Sequence, residues 1–180
     1  PHLQPPPARS RLAPADPEAL AALVLAGILI EGPLGDLPCP PALPQSDFGP
    51  GVPVALRARE VLRLGACLWD LYWRYRSRPL GDIVSFAGLA PGRGAGTAPE
   101  VLRLARLFYR VAPWLPISRK CLVRSFVLLR FLQRSGLNAQ WVFGVRTWPF
   151  GAHCWLQLDD IVLDDAPERL AAYAPIYVVS

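Results

Sequence analysis

The chain passes through three regimes of hydrophobic and polar patterning. The first is one unbroken apolar run of 12 residues from Ala19 to Ile30. Asp16-Pro17-Glu18 precedes it with an N-cap, a proline at the first helical position and an early acid, so a helix is predicted. A membrane span needs about 20 residues, so this helix is assigned to a core and not to a bilayer. From Val54 the period becomes helical. ALRAREVLRLGACLWDLYWRYR sets Leu56, Val61, Leu64, Leu68, Leu71 and Tyr72 on one face, with Arg57, Arg63, Arg74 and Arg76 elsewhere. LGDIVSFAGLA fits a short second helix, and Pro99-Glu100-Val101 opens a further amphipathic one, VLRLARLFYRVA. Ser118 is placed to N-cap a helix running to Gln133 or Arg134, where Gly136 would end it. After that the period drops to two. AQWVFGVRT reads as a strand, Thr147 to Gly151 interrupts, and AHCWLQLD alternates Ala152, Cys154, Leu156 and Leu158 against His153, Trp155 and Gln157. Asp159-Asp160 turns the chain into IVLDD, Pro167-Glu168-Arg169-Leu170 starts a helical turn, and IYVVS fits a final edge strand. Helices followed by an antiparallel sheet predict an α+β domain.

Composition divides this pattern. The first 53 residues hold 13 of the 21 prolines: an arm from Pro1 to Pro14, the apolar helix, and a turn-rich linker from Pro33 to Pro53. Residues 54–180 are left as the main domain, and 180 residues at 52% hydrophobic and 18% charged exclude a disordered chain. The chain has no Met and begins Pro1-His2, so a processed or trimmed form with further residues upstream is expected. Charge is uneven. Arg57 to Arg134 carries 15 of the 19 basic residues against four acids, a net of +11, while each flank is at −3. That stretch either attracts an anionic partner or forms solvated helix faces rich in Arg through coding bias. It lacks the aromatic-interleaved basic sheet of a nucleic-acid binder. PGRGAGT lacks the Lys-Ser/Thr and the preceding strand of a phosphate loop, so a plain loop is predicted. Cys39, Cys67, Cys121 and Cys154 show no zinc spacing, so reduced thiols, no metal and a cytosolic setting are expected.

Helix with Cys, strand with His, next strand with Asp is an arrangement suited to nucleophilic catalysis. Cys121 falls in the first turn of its predicted helix, where free N–H groups and the macrodipole favour a thiolate, with Arg119 and Lys120 adding positive charge. The same N–H groups can hold a developing oxyanion. His153 would act as base and acid, and Asp165, 12 residues on and across the hairpin, would orient its ring. Each has a plainer reading: Cys121 as a buried thiol, Asp164 and Asp165 as a turn pair, Cys154 as a rival nucleophile, although its period sends it to the face opposite His153.

Cys121-Leu122-Val123-Arg124-Ser125, Gly144-Val145-Arg146, Pro149-Phe150, Ala152-His153-Cys154-Trp155 and Val162-Leu163-Asp164-Asp165 together resemble the leader peptidases of lasso-peptide biosynthesis, the transglutaminase-like B proteins. The resemblance is strongest from Ser118 to Val178. It implies a papain/transglutaminase-like fold, a Cys121-His153-Asp165 triad, and removal of the leader from a ribosomally made lasso precursor in the bacterial cytoplasm. A separate asparagine-synthetase-like cyclase would then form the macrolactam. Arg119, Lys120, Arg124 and Trp155 are the candidate contacts to the peptide. Cys154 stands where the family usually has a small residue, and Gln157 replaces a common acid. Asp16 to Glu31 resembles the last helix of the winged-helix leader-recognition module of fused members, so that module, or a separate recognition protein, is an expected partner. No covalently bound cofactor, nucleic acid or membrane partner is implied. ATP dependence, attributed to some relatives, finds no nucleotide motif here. Two alternatives stay open: acyl transfer to an amine on the same triad, and a non-catalytic scaffold that binds the leader.

Overall fold

A computed structural model of the chain describes residues 41–47, 49, 55–75, 78–88 and 97–179, the side chain of Arg74 excepted. The chain divides into two units, Pro1–Leu37 and Pro38–Ser180. The predicted arm, the helix from Asp16 to Glu31, the glycine-rich loop up to Gly96 and most of the linker lie outside the described residues.

Helix α1, Ala58–Asp70, starts at Arg57, whose N–H donates to Glu60 Oε2 at 2.7 Å, the reciprocal half of a capping box. It runs on into a π-helical turn, Leu71–Tyr75. Its buried face is Glu60, Leu64, Cys67 and Asp70, rotated from the predicted one: Leu56, Val61 and Tyr72 are 46%, 50% and 58% exposed. Counting apolar residues sends both acids outward, whereas arginines on later helices draw them in. Glu60 takes Arg103 Nη1 at 3.0 Å, and Asp70 takes Arg130 Nε at 3.2 Å and Arg134 Nη2 at 2.9 Å. Part of the basic excess is therefore internal pairing, which neither sequence-based reading of it foresaw.

Helix α2 is Leu80–Gly88, and α3 is Ala98–Val111, entered from Thr97 with Pro99 in its first turn. Val101, Leu104, Ala105, Leu107 and Phe108 form the buried stripe of α3. Helix α4, Cys121–Gln133, is the core helix of the Pro38–Ser180 unit, with Val123 and every residue from Ser125 to Leu132 buried. It begins two residues later than predicted. Pro116 keeps Leu115 extended, and the Ser118 hydroxyl accepts the Lys120 N–H at 3.3 Å instead of capping the helix, so Lys120 is the N-cap. The helix ends as predicted at Gly136, which has φ +78 while Leu137 N–H returns to Leu132 O at 3.0 Å.

The sheet has the order β1-β4-β3-β2-β5 among the described residues. β2 (Gln140–Arg146) and β3 (Gly151–Leu158) form its antiparallel centre, with Gly144 opposite His153 and Phe143 opposite Cys154. β5, Ala174–Val179, is the predicted edge strand against β2. β4 is Ile161–Val162, and the short helix α5 is Pro167–Leu170. The strand missed from sequence is β1, Ser46–Asp47, which pairs in parallel with β4 from within the segment assigned to the linker. Gln157 fastens that segment by donating to Ala42 O at 3.1 Å. Both faces of the sheet are covered: Trp141, Cys154 and Leu156 join the helical core, and Val142, Trp155, Val162, Leu170 and Val178 form a second cluster. The α+β class is as predicted, with α4 packed on β3.

Candidate active site

Cys121 is the first residue of α4, half-buried, with Lys120 extended before it at φ −62, ψ 136. The N–H groups of that turn have no intrahelical acceptor, since the first i to i−4 bond is Arg124 N–H to Lys120 O at 3.1 Å. Starting later than predicted brings the sulfur closer to the positive end of the helix than Ser118 capping would have done. Three donors converge on it. The Cys154 thiol and the His153 ring hydrogen-bond the sulfur, and Cys154 N–H adds another, which outweighs burial and brings the Cys121 thiol down to about 4.

His153 lies on β3 with its side chain 15% exposed. Its Nε2 is 2.5 Å from Asp165 Oδ2, so the bond to Cys121 falls to Nδ1. That bond to Cys121 is the main reason the imidazole is raised above its ordinary value; burial pulls the other way, and Asp165 adds to the rise. The ring is also packed, with its centroid 5.2 Å from Tyr173 and 6.3 Å from Trp155.

Asp165 is held on its other oxygen by Ala166 N–H at 2.8 Å and by Arg169 at 3.3 Å, an exposed and weaker partner. Its neighbour Asp164 is no surface turn residue. It is buried, accepts Leu156 N–H at 2.7 Å on Oδ1, and takes the Ser125 hydroxyl on Oδ2. Burial pushes its carboxyl up to about 7 despite those bonds. Asp164 thereby ties α4, β3 and the loop after β4 together, and the loop presents Asp165 to His153. The only sequence signal for this was the doubled acid, which does not say which carboxyl turns in.

The four candidate peptide contacts separate. Ser118, Arg119 and Arg124 line a cavity of about 310 Å³ with Tyr109, and the Arg124 guanidinium sits 4.2 Å above the Tyr109 ring. Lys120 is exposed at the helix start. Trp155 is a correction: it is fully buried, its indole N–H donates to Gln157 Oε1 at 2.8 Å, and its ring packs beneath Gly144, so it cannot touch a peptide. Cys154 is buried on the helix side of the sheet, as its period predicted. Tyr75, from the π-helical turn, lies near both sulfurs. An apolar cavity of about 490 Å³, with Leu80, Val84, Phe143 and Ile176 in its walls, opens at His153. Another of about 540 Å³ lies between Leu68, Leu71 and Tyr75 on one side and Ser118 and Val123 on the other. Among the described residues no three His, Cys, Asp or Glu side chains gather as a metal site. No described helix is long and apolar enough to cross a membrane.

A family model for the transglutaminase-like superfamily matches residues 66–178. The chain is also similar to the microcin J25-processing protein McjB of Escherichia coli, 39% identical over 59 residues, which cover 31% of this chain and 28% of that protein. No solved structure matches the chain.

Proposed function

The chain belongs to the transglutaminase-like superfamily, and from that footing we propose that it is a cysteine endopeptidase. Its substrate is a ribosomally synthesised lasso-peptide precursor, from which it removes the leader before a separate cyclase forms the macrolactam. One observation carries the reading: the Cys121 sulfur at a helix start is hydrogen-bonded to His153, whose other nitrogen meets Asp165. In this mechanism the Cys121 thiolate attacks the scissile carbonyl, and the N–H groups of the first turn of α4 hold the oxyanion. His153, with Asp165 fixing its ring, gives its proton to the leaving amine and then activates the water that frees the leader acid. The apolar cavity at His153 and the one at Ser118 and Val123 receive side chains flanking the cleaved bond, and Arg119, Lys120 and Arg124 attract acidic residues of the leader. A leader-recognition module, either preceding this chain or on a separate protein, delivers the precursor. The similarity to a microcin-processing protein supports this substrate class.

The test uses a lasso precursor and its recognition protein with wild-type or Cys121→Ala enzyme, followed by mass spectrometry. The expected result is a free leader acid and core peptide with wild type, and loss of cleavage by about three orders of magnitude or more with Cys121→Ala. Undiminished cleavage by Cys121→Ala removes the proposal. Amine adducts of the leader in place of the free acid assign the triad to acyl transfer, and binding without turnover by wild type assigns the chain as a scaffold.

A further inference from the structure

Ser125 lies four residues after Cys121, one turn further along the same face of α4, and is fully buried. A serine inside a helix ordinarily returns its hydroxyl to a carbonyl of the preceding turn or points it to solvent. This one donates to Asp164 Oδ2, 39 residues further along the chain. Strand β4 pairs with β3 as far as Val162, opposite Gln157, and Leu163 N–H still reaches Leu156 O at 2.8 Å. One residue later the backbone leaves the ladder, and the Asp164 carboxylate stands in for it by accepting Leu156 N–H at 2.7 Å on Oδ1. The side chain that finishes the ladder therefore also grips the helix of the nucleophile, and the next residue is Asp165. We propose that Ser125 and Asp164 are positioning residues for the peptidase reaction. Their bond fixes the helix that carries Cys121 against the loop that carries Asp165, so losing it moves Asp165 off His153 and slows turnover without weakening peptide binding.

The bonds of Asp165 itself leave this task undone. It meets His153 Nε2 at 2.5 Å, Ala166 N–H at 2.8 Å and Arg169 at 3.3 Å, which tie it to β3 and to its own loop. None of those three bonds reaches α4. The Ser125 hydroxyl supplies that link, from the face of the helix that also bears Cys121. Both Ser125 and Asp164 are buried, where an unpaired polar group is costly, so the two are held to one arrangement. A displacement of about 1 Å between reacting groups can cost about a hundredfold in rate, and a change remote from the chemistry is enough to cause it. The effect on turnover rests on the peptidase reading; the effect on the His153 ring does not.

The chain has two histidines, so a His2→Gln background leaves His153 as the single imidazole reporter in proton NMR. The full chain carrying Ser125→Ala, Asp164→Ala or Asp164→Asn, each checked for native circular dichroism, is titrated by NMR and assayed for cleavage of a lasso precursor with its recognition protein. The imidazole is raised chiefly by Cys121, against burial, with Asp165 adding to the rise. Ser125→Ala and Asp164→Ala are therefore expected to lower the His153 midpoint partway as the Asp165 carboxylate moves off. They are also expected to lower kcat about tenfold to a hundredfold, with KM held within about twofold. Asparagine offers an oxygen to Leu156 N–H and an N–H to the Ser125 hydroxyl, so Asp164→Asn is expected to rescue both readouts that Asp164→Ala loses. A loss of stability alone moves neither readout in a folded variant. The proposal is overturned if folded Ser125→Ala keeps the wild-type His153 midpoint, or if Asp164→Asn behaves as Asp164→Ala. Absence of cleavage by wild type removes the peptidase reading, and the midpoints then decide by themselves whether the bond positions Asp165.

Discussion

A thiolate in the first turn of a helix beside a protonated imidazole makes the proposed nucleophile a pair property at the scale of single residues. Cys121 is held down to about 4, and His153 is raised chiefly by the same hydrogen bond. An ordinary cysteine, near 8.5, labels faster as pH rises through that value. Cys121 should instead label at a plateau across neutral pH and lose rate only as the sulfur takes up a proton near pH 4. In the proposed mechanism the imidazolium is the acid for the leaving group, so peptide cleavage should also fall at alkaline pH as His153 loses its proton at its raised value. Iodoacetamide rates from pH 3 to 9 check the first limb, and labelling that climbs only above pH 8 would remove the ion pair. Cys121 and His153 were legible from sequence because a helix start and a strand period place them, whereas Asp165 lies in the loop after β4 and not on the strand predicted for it. Cys154 was legible only as a core thiol.

Strands β2 and β3 meet at Gly144 and His153, and this pairing sets the height of the ring at the scale of elements. A Cβ at Gly144 would stand 2.8 Å from Trp155 Cζ3 and 3.1 Å from Ala174 O, so neither β3 nor β5 leaves room. The indole cannot retreat, since it is fully buried and bonded to Gln157. Gly144→Ala should cost about 1–3 kcal/mol of stability as an overpacking change, measured by urea denaturation. Because the His153 ring packs near the same indole, the variant should also slow Cys121 labelling. A variant as stable as wild type would mean the sheet yields there. The glycine marked itself in sequence only as a break in a run of strand formers; its reason is a tryptophan on the partner strand.

Across the whole molecule, helix α1 is joined to α4 by charge as well as apolar packing. Asp70 is buried between Arg130 and Arg134, and the Arg130 guanidinium also lies 4.5 Å from the Phe86 ring on α2. Removing the carboxylate leaves a cation that is itself almost wholly buried. Asp70→Ala should therefore destabilise by about 3–5 kcal/mol, and Asp70→Asn, which keeps an acceptor, by less. Equal and small losses for both in urea melts would count against the pairing. By itself, the sequence determined the helix-then-sheet order, the end of α4 at Gly136 and the strands around His153. Those follow from period, capping and chemistry carried within a few residues. Only the tertiary structure decided that Glu60 and Asp70 face inward, that Ser46–Asp47 adds a strand, that Trp155 is closed off, and that Asp164 holds the loop bearing Asp165. Each depends on a partner tens of residues away, whose charge or bulk reverses what local pattern predicts.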